Sequence, residues 1–172
     1  SQACLDCLDG IVARDQKAIR TLIDALCLTG VNMALCSDTR PASGSEHIFS
    51  HYLVESAIDQ GRPAPSHGTT VAFGTLVSSL LYEYLLGPAM PEELAPIQEE
   101  LKRYLPASDD VRKMLEKTGI GAAVTDHLPD KETLAHMIRV SCAPEKRYTV
   151  LRYLSDCDIL EKAIQYVLEH ID

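Results

Sequence analysis

Three of the six histidines, His47, His51 and His67, fall in one short stretch, and their spacing suits metal or proton chemistry. His47 and His51 are four apart, so on one helix they project from the same face one turn apart. His67 follows a Pro/Gly-rich reversal, DQGRPAPS, and opens the next apolar stretch. A reversal there lets the second helix swing back beside the first, so imidazoles from two helices can converge on one ion. Such an imidazole-rich set suits Zn²⁺ or another divalent cation, and a catalytic site adds a carboxylate and leaves one position open. Glu55 continues the His47–His51 row, either beside the site or in solvent. Glu46 has a competing task, since Ser43 and Glu46 form the S-x-x-E pattern of a capping box. Read from spacing alone, the commoner outcome for such histidines is a surface or capping role. His127, His136 and His170 lie far apart and near no other ligand type. Cys4 and Cys7 form a CxxC with no second Cys or His pair, which is a weak metal signal.

The elements that must carry these residues are helical. Asp15 is placed to cap a helix whose apolar residues Ala18, Ile19, Leu22, Ile23, Leu26 and Cys27 recur at i, i+3, i+4 spacing. That helix either stops at Gly30 or continues through VNMALC. Leu5, Leu8 and Val12 mark a short helix before it. A helix is expected from Ser43 through EHIFSHYLVESAI, and Ser66 is placed to cap a long apolar helix from His67 to about Leu86, broken by Gly87, Pro88 and Pro91. Further helices are expected over Glu92–Leu105, Asp109–Thr118, Lys131–Cys142 and Asp156–His170, with a short turn over Tyr148–Leu154. Alternating strand patterns are hard to find, and aromatic residues are only 5% of the chain. The expected fold is therefore all-α, a multi-helix bundle, with residues 1–172 forming a single helical domain.

Composition excludes several function classes. At 172 residues, 46% hydrophobic and 24% charged, the chain can bury a core of its own. A net charge of −9 repels phosphate backbones, so no nucleic-acid partner is expected. Arg14, Lys17 and Arg20 alternate with Asp15 and Asp24 and read as a solvated face. No uninterrupted apolar run approaches the roughly 18 residues of a membrane span, and the N-terminal SQACLDCLDG lacks the basic start of a secretory signal. The six cysteines sit in apolar helical contexts and are expected to be buried free thiols of a reduced, cytoplasmic chain. The absence of an initiator Met suggests a start inside a longer gene product or after a tag.

The stretches RPASGSEHIFSHYLVE and SHGTTVAFGTL, with DQKAIRTLIDALCLTGVNMA upstream and RYTVLRYL near the end, closely resemble the C-terminal helical domain of glycerol-1-phosphate dehydrogenases. More broadly they resemble the superfamily that joins glycerol dehydrogenase, iron-containing alcohol dehydrogenases and dehydroquinate synthase. The resemblance implies that His47 and His67 are metal ligands and that His51 lies beside the substrate in a catalytic role. It implies a divalent metal (Zn²⁺ first, Ni²⁺ or Fe²⁺ as alternatives), NAD(P) in a longer parent, and a small phosphorylated polyol substrate. A homo-oligomer is compatible with it. The cation favours loss of the substrate hydroxyl proton while hydride leaves for the nicotinamide, and a nearby imidazole relays the proton.

Two departures qualify the resemblance. The family's third ligand is an Asp in a Gly-Asp word, and no such word precedes His47; neither Asp6 nor Asp9 has that context. The family's N-terminal nucleotide-binding α/β domain is also missing, since Gly119-Ile-Gly121 makes no dinucleotide fingerprint. The expectation is a metal- and substrate-side domain, inactive as an isolated chain. A dehydroquinate-synthase-like lyase domain and a stand-alone helical interaction module with a vestigial site are the alternatives. A domain cut from an enzyme should expose a face where its neighbour docked, whereas a self-sufficient module should be sealed all round.

Overall fold

A computed structural model of the chain describes residues 2–126, 129–142 and 147–171. Among them every regular element is helical: α1 (Gln2–Asp6), α2 (Leu8–Val12), α3 (Gln16–Cys36), a 3₁₀ turn (Arg40–Ala42), α4 (Ser45–Asp59) and α5 (His67–Leu86) come first. A second 3₁₀ segment (Glu92–Ile97) follows, then α6 (Gln98–Tyr104), α7 (Ser108–Thr118), α8 (Gly121–Thr125), α9 (Lys131–Val140), α10 (Val150–Asp156) and α11 (Leu160–His170). The all-α expectation holds.

The core is built around α5. Its sequence is apolar or small on nearly every face, and residues from Thr69 to Leu86 are buried all round it, which is the signature of a central helix. It packs against α4, α7, α8, α10 and α11. Ser66 starts it as expected, its Oγ accepting from the Thr69 N–H at 3.2 Å. Phe49 of α4, Val111 of α7, Leu151 of α10 and Val167 of α11 are fully enclosed against it. At the α7 start, where Ala107 offers no cap, Glu83 of α5 accepts from Ser108 N at 2.7 Å and from Ser108 Oγ at 3.0 Å.

The contact of α4 with α5 is the closest in the core. A Cβ at Gly74 would lie 2.3 Å from the Glu46 carbonyl oxygen and 2.9 Å from its Cα. Buried hydroxyl pairs flank this point, Ser45 Oγ with Ser78 Oγ at 2.9 Å and Ser50 Oγ with Thr70 Oγ1 at 2.6 Å. Pairing positions fall on α5 as they rise on α4, so the helices run antiparallel.

Several expectations are resolved or corrected. Of the two ends left open for the helix after Asp15, whose carboxylate accepts from Lys17 N and Ala18 N, the longer holds, and it runs to Cys36. The segment Glu92–Leu105 divides into a 3₁₀ turn and α6, because Pro96 removes a helical donor. The turn expected over Tyr148–Leu154 is α10, Val150–Asp156, and the helix expected from Asp156 starts later, at Leu160, after Asp158 adopts a left-handed φ of 55°. Ser43 does not cap α4: the N-cap is Gly44, and Glu46 accepts from Gly44 N at 2.7 Å.

The thiols are not buried as expected. Cys27, Cys36 and Cys157 are exposed, while Cys4, Cys7 and Cys142 are half-buried. The cause for the first two is α3, which rests chiefly on α1, α2 and the first 3₁₀ turn and buries only Ala18. Ile23, Leu26, Leu28, Val31 and Leu35 are exposed, Leu35 by 79%. By length and composition two helices, α3 and α5, could cross a membrane, against the expectation of no such segment. A core helix passes that test too, as two-thirds-buried α5 shows, whereas none of the α3 window is buried.

Two predictions follow from this packing. Gly74→Ala should destabilise by about 1–3 kcal/mol, the cost of overpacking a close contact, read as a lower urea midpoint. Gly30→Ala, where no atom lies within 4 Å of an added Cβ, should be neutral or stabilising. Asp130, the N-cap of α9, is held below its ordinary value of 3.8, first by the Thr133 backbone N–H and then by its hydroxyl. Its contribution is therefore complete above that value and lost as pH falls through the lowered folded-state pKa. Asp130→Asn should flatten the acid limb of the urea midpoint from about pH 5 down to about pH 2, the range that spans the unfolded and the lowered folded values; an unchanged limb contradicts this.

Candidate metal centre

The site begins with how α4 is entered. The turn after α3 reverses at Ser37, a left-handed C-cap, and passes through the Arg40–Ala42 turn to Gly44. His47 therefore lies in the first turn of α4, on the helix that Gly74 allows to approach α5. His67 is the first residue of α5. The two rings meet with centroids 5.3 Å apart and planes tilted by 53°.

That separation fits a shared ion. With metal–nitrogen bonds of about 2.0–2.1 Å and tetrahedral angles, two imidazoles on one cation hold their centroids roughly 5 Å apart. Glu46 orients the first ring, its Oε1 lying 2.9 Å from His47 Nδ1 while accepting from Gly44 N. A carboxylate on Nδ1 favours a proton there and leaves Nε2 as the lone-pair nitrogen for a cation. The Glu46 charge is also felt across the interface, where burial first and Glu46 second raise the Tyr82 phenol above its ordinary value of 10.0.

The other expected residues are placed as follows. His51 is exposed on α4 one turn beyond His47, and no hydrogen bond or ring contact joins it to the pair. Glu55 is exposed as well. Among the described residues no third His, Cys, Asp or Glu completes a ligand cluster, so the chain presents two imidazoles and one orienting carboxylate. His136 meets Tyr52 edge-on at 6.3 Å and so tethers α9 to α4, and His170 stacks on Tyr166 at 4.0 Å. His127 lies outside the described residues. A cleft of about 740 Å³ lies elsewhere, lined by Leu76, Arg112, Leu115 and Val124 among others.

Two contributions escaped the sequence reading. For Glu46 the capping pattern competed with a place at the site, and its contact with the His47 ring was the part not expected. Arg147 reaches the turn before α4 from 104 residues away (147 − 43), which no local pattern encodes. Two imidazoles at this separation, one of them held by a carboxylate, are donor types that a divalent cation takes. In calorimetric titration with Zn²⁺, His47→Ala and His67→Ala should each abolish binding, and His51→Ala should leave it within about threefold, since a lost ligand removes far more than a lost neighbour. Equal Zn²⁺ affinity in the parent chain and the first two variants would reject the ligand pair.

Comparison with known proteins places these features. No protein-family profile matches the chain, and no solved structure matches it. Curated relatives do match, each named glycerol-1-phosphate dehydrogenase (NAD(P)+). The protein of Geobacillus thermodenitrificans is 31% identical over 92% of this chain and 44% of its own length. That of Halalkalibacterium halodurans is 32% identical over 81% of the chain and 40% of its length. That of the archaeon Korarchaeum cryptofilum is 34% identical over 88% of the chain and 41% of its length. The chain thus spans less than half the length of these relatives.

Proposed function

We propose that this chain, related by sequence over most of its length to part of the glycerol-1-phosphate dehydrogenases, serves as the metal- and substrate-side helical domain of such an enzyme. The observation that carries the reading is the convergence of His47 and His67, 5.3 Å apart, on helices from the matched chain. The parent reaction would interconvert dihydroxyacetone phosphate and glycerol 1-phosphate with NAD(P), in the cytoplasm.

In this reading His47 and His67 hold a divalent cation, Zn²⁺ first and Ni²⁺ or Fe²⁺ as alternatives. The cation supplies Lewis acidity toward the substrate oxygen at the carbon that exchanges hydride. Glu46 keeps the His47 ring turned with Nδ1 toward itself. His51, exposed one turn away, passes a proton between substrate oxygen and solvent. The nicotinamide and the remaining ligand are assigned to polypeptide beyond this chain, in keeping with its share of the relatives' length.

The exposed apolar side of α3 favours this over a self-sufficient interaction module, whose surface would be sealed. The lyase alternative is not favoured, because the matched relatives bear the dehydrogenase name.

The test is NAD(P)H oxidation with dihydroxyacetone phosphate. The isolated chain should show none, and a complete gene product containing it should show turnover that His47→Ala lowers by at least about a hundredfold, the loss typical of a catalytic metal's removal. Turnover by the isolated chain contradicts the domain assignment, and a fully active His47→Ala enzyme contradicts the metal assignment.

A further inference from the structure

We propose that Arg147 is a positioning residue for the metal centre, holding the turn before α4 so that Glu46 fixes the ring of His47. The inference deepens the reading of His47 as a ligand and rests on it.

The entry to α4 does not anchor itself. Its N-cap is Gly44, with no side-chain cap, and the turn before it bends through a left-handed Ser37 and a short 3₁₀ segment. Arg147 grips that turn at both ends. Its Nη1 donates to the Ser43 carbonyl at 3.0 Å and also to Ser43 Oγ, and its Nη2 donates to Thr39 Oγ1 at 2.6 Å. Within the turn, Asp38 accepts from Arg40 N at 2.8 Å and from Arg40 Nε at 2.9 Å. The other end of the peptide group that carries the Ser43 carbonyl, Gly44 N–H, donates to Glu46 Oε1, the same oxygen that meets His47 Nδ1.

These contacts form one mechanical series: guanidinium, Ser43 carbonyl, Gly44 N–H, Glu46 carboxylate, His47 ring. The Glu46 carboxylate lies close over this turn, since a Cβ on Gly44 would stand 2.8 Å from Glu46 Oε2. A planar fork with donors on separate nitrogens is pre-organised to span Thr39 and Ser43 together, whereas an ammonium on a flexible stem is not. Lysine at this position therefore keeps the charge and loses the grip. Arg147 itself need not touch metal or substrate; it acts through the turn.

The test uses the folded chain and Zn²⁺ alone. Arg147→Met should weaken Zn²⁺ binding about tenfold, at the lower end of what outer partners of metal ligands contribute, and Arg147→Lys should recover little of it. Thr39→Val, at an exposed position, removes one acceptor without touching the core and should weaken binding in the same direction, which covers the case of a misfolded Arg147 variant. Glu46→Gln should weaken binding about 10–100-fold, and adding Arg147→Met to it should cost less than about threefold more, because groups in one series are not additive. Long-range ¹⁵N spectra of the metal-free chain should show the His47 proton on Nδ1 in the parent and a tautomer mixture in Arg147→Met. Parent-like affinity and tautomer in the Arg147 and Thr39 variants, or fully multiplicative losses with Glu46→Gln, would overturn the proposal. Unchanged Zn²⁺ affinity in His47→Ala and His67→Ala would instead overturn the metal reading beneath it.

Discussion

At Gly74 the backbone of α4 comes so near to α5 that one added methyl group would collide with the Glu46 carbonyl. That close approach is the constraint on which the rest of the site depends. It places the first turn of α4 against the side of α5, brings Ser45 and Ser50 within hydrogen-bond reach of Ser78 and Thr70, and leaves the His47 and His67 rings facing each other. Hydroxyl pairs suit such an interface because they are small, and each satisfies a buried partner that an apolar residue would leave alone. Farther along α5, Leu80, Leu81 and Leu85 pack as ordinary apolar core, where volume-conserving swaps cost least. The contact at Gly74 leaves no such room.

The two long apolar helices divide the labour. α5 is enclosed by helices on all sides and supplies the scaffold. α3 is also long and apolar, yet leaves Ile23, Leu26, Val31 and Leu35 exposed and rests chiefly on α1, α2 and the first 3₁₀ turn. An exposed apolar side of this extent is the kind of surface that another polypeptide covers, and the chain spans less than half the length of the relatives it matches.

Much of this was legible in the sequence, for physical reasons that separate hits from misses. Asp15 and Ser66 cap as expected because capping is a local rule between residues two or three apart. The all-α class and the extent of α5 follow from apolar periodicity and from the breakers at Gly87 and Pro88. The meeting of His47 with His67 was readable as a consequence of the reversal between them. The burial of the cysteines was misjudged, because periodicity reveals an apolar side without saying whether anything covers it. The capping box at Ser43 failed for a related reason: a partner 104 residues away, Arg147, takes the Ser43 side chain, and Glu46 turns to Gly44 and His47. Local rules cannot see long-range competitors.

The proposed ligand pair, His47 and His67, lies wholly within this chain. X-ray absorption fine structure of the chain loaded with one equivalent of Zn²⁺ tests it most directly. The account predicts two imidazole nitrogens at about 2.0–2.1 Å, with the outer-ring scattering of histidine and the remaining positions filled by light oxygen donors. A shell containing sulfur, or one without histidine scattering, would contradict it.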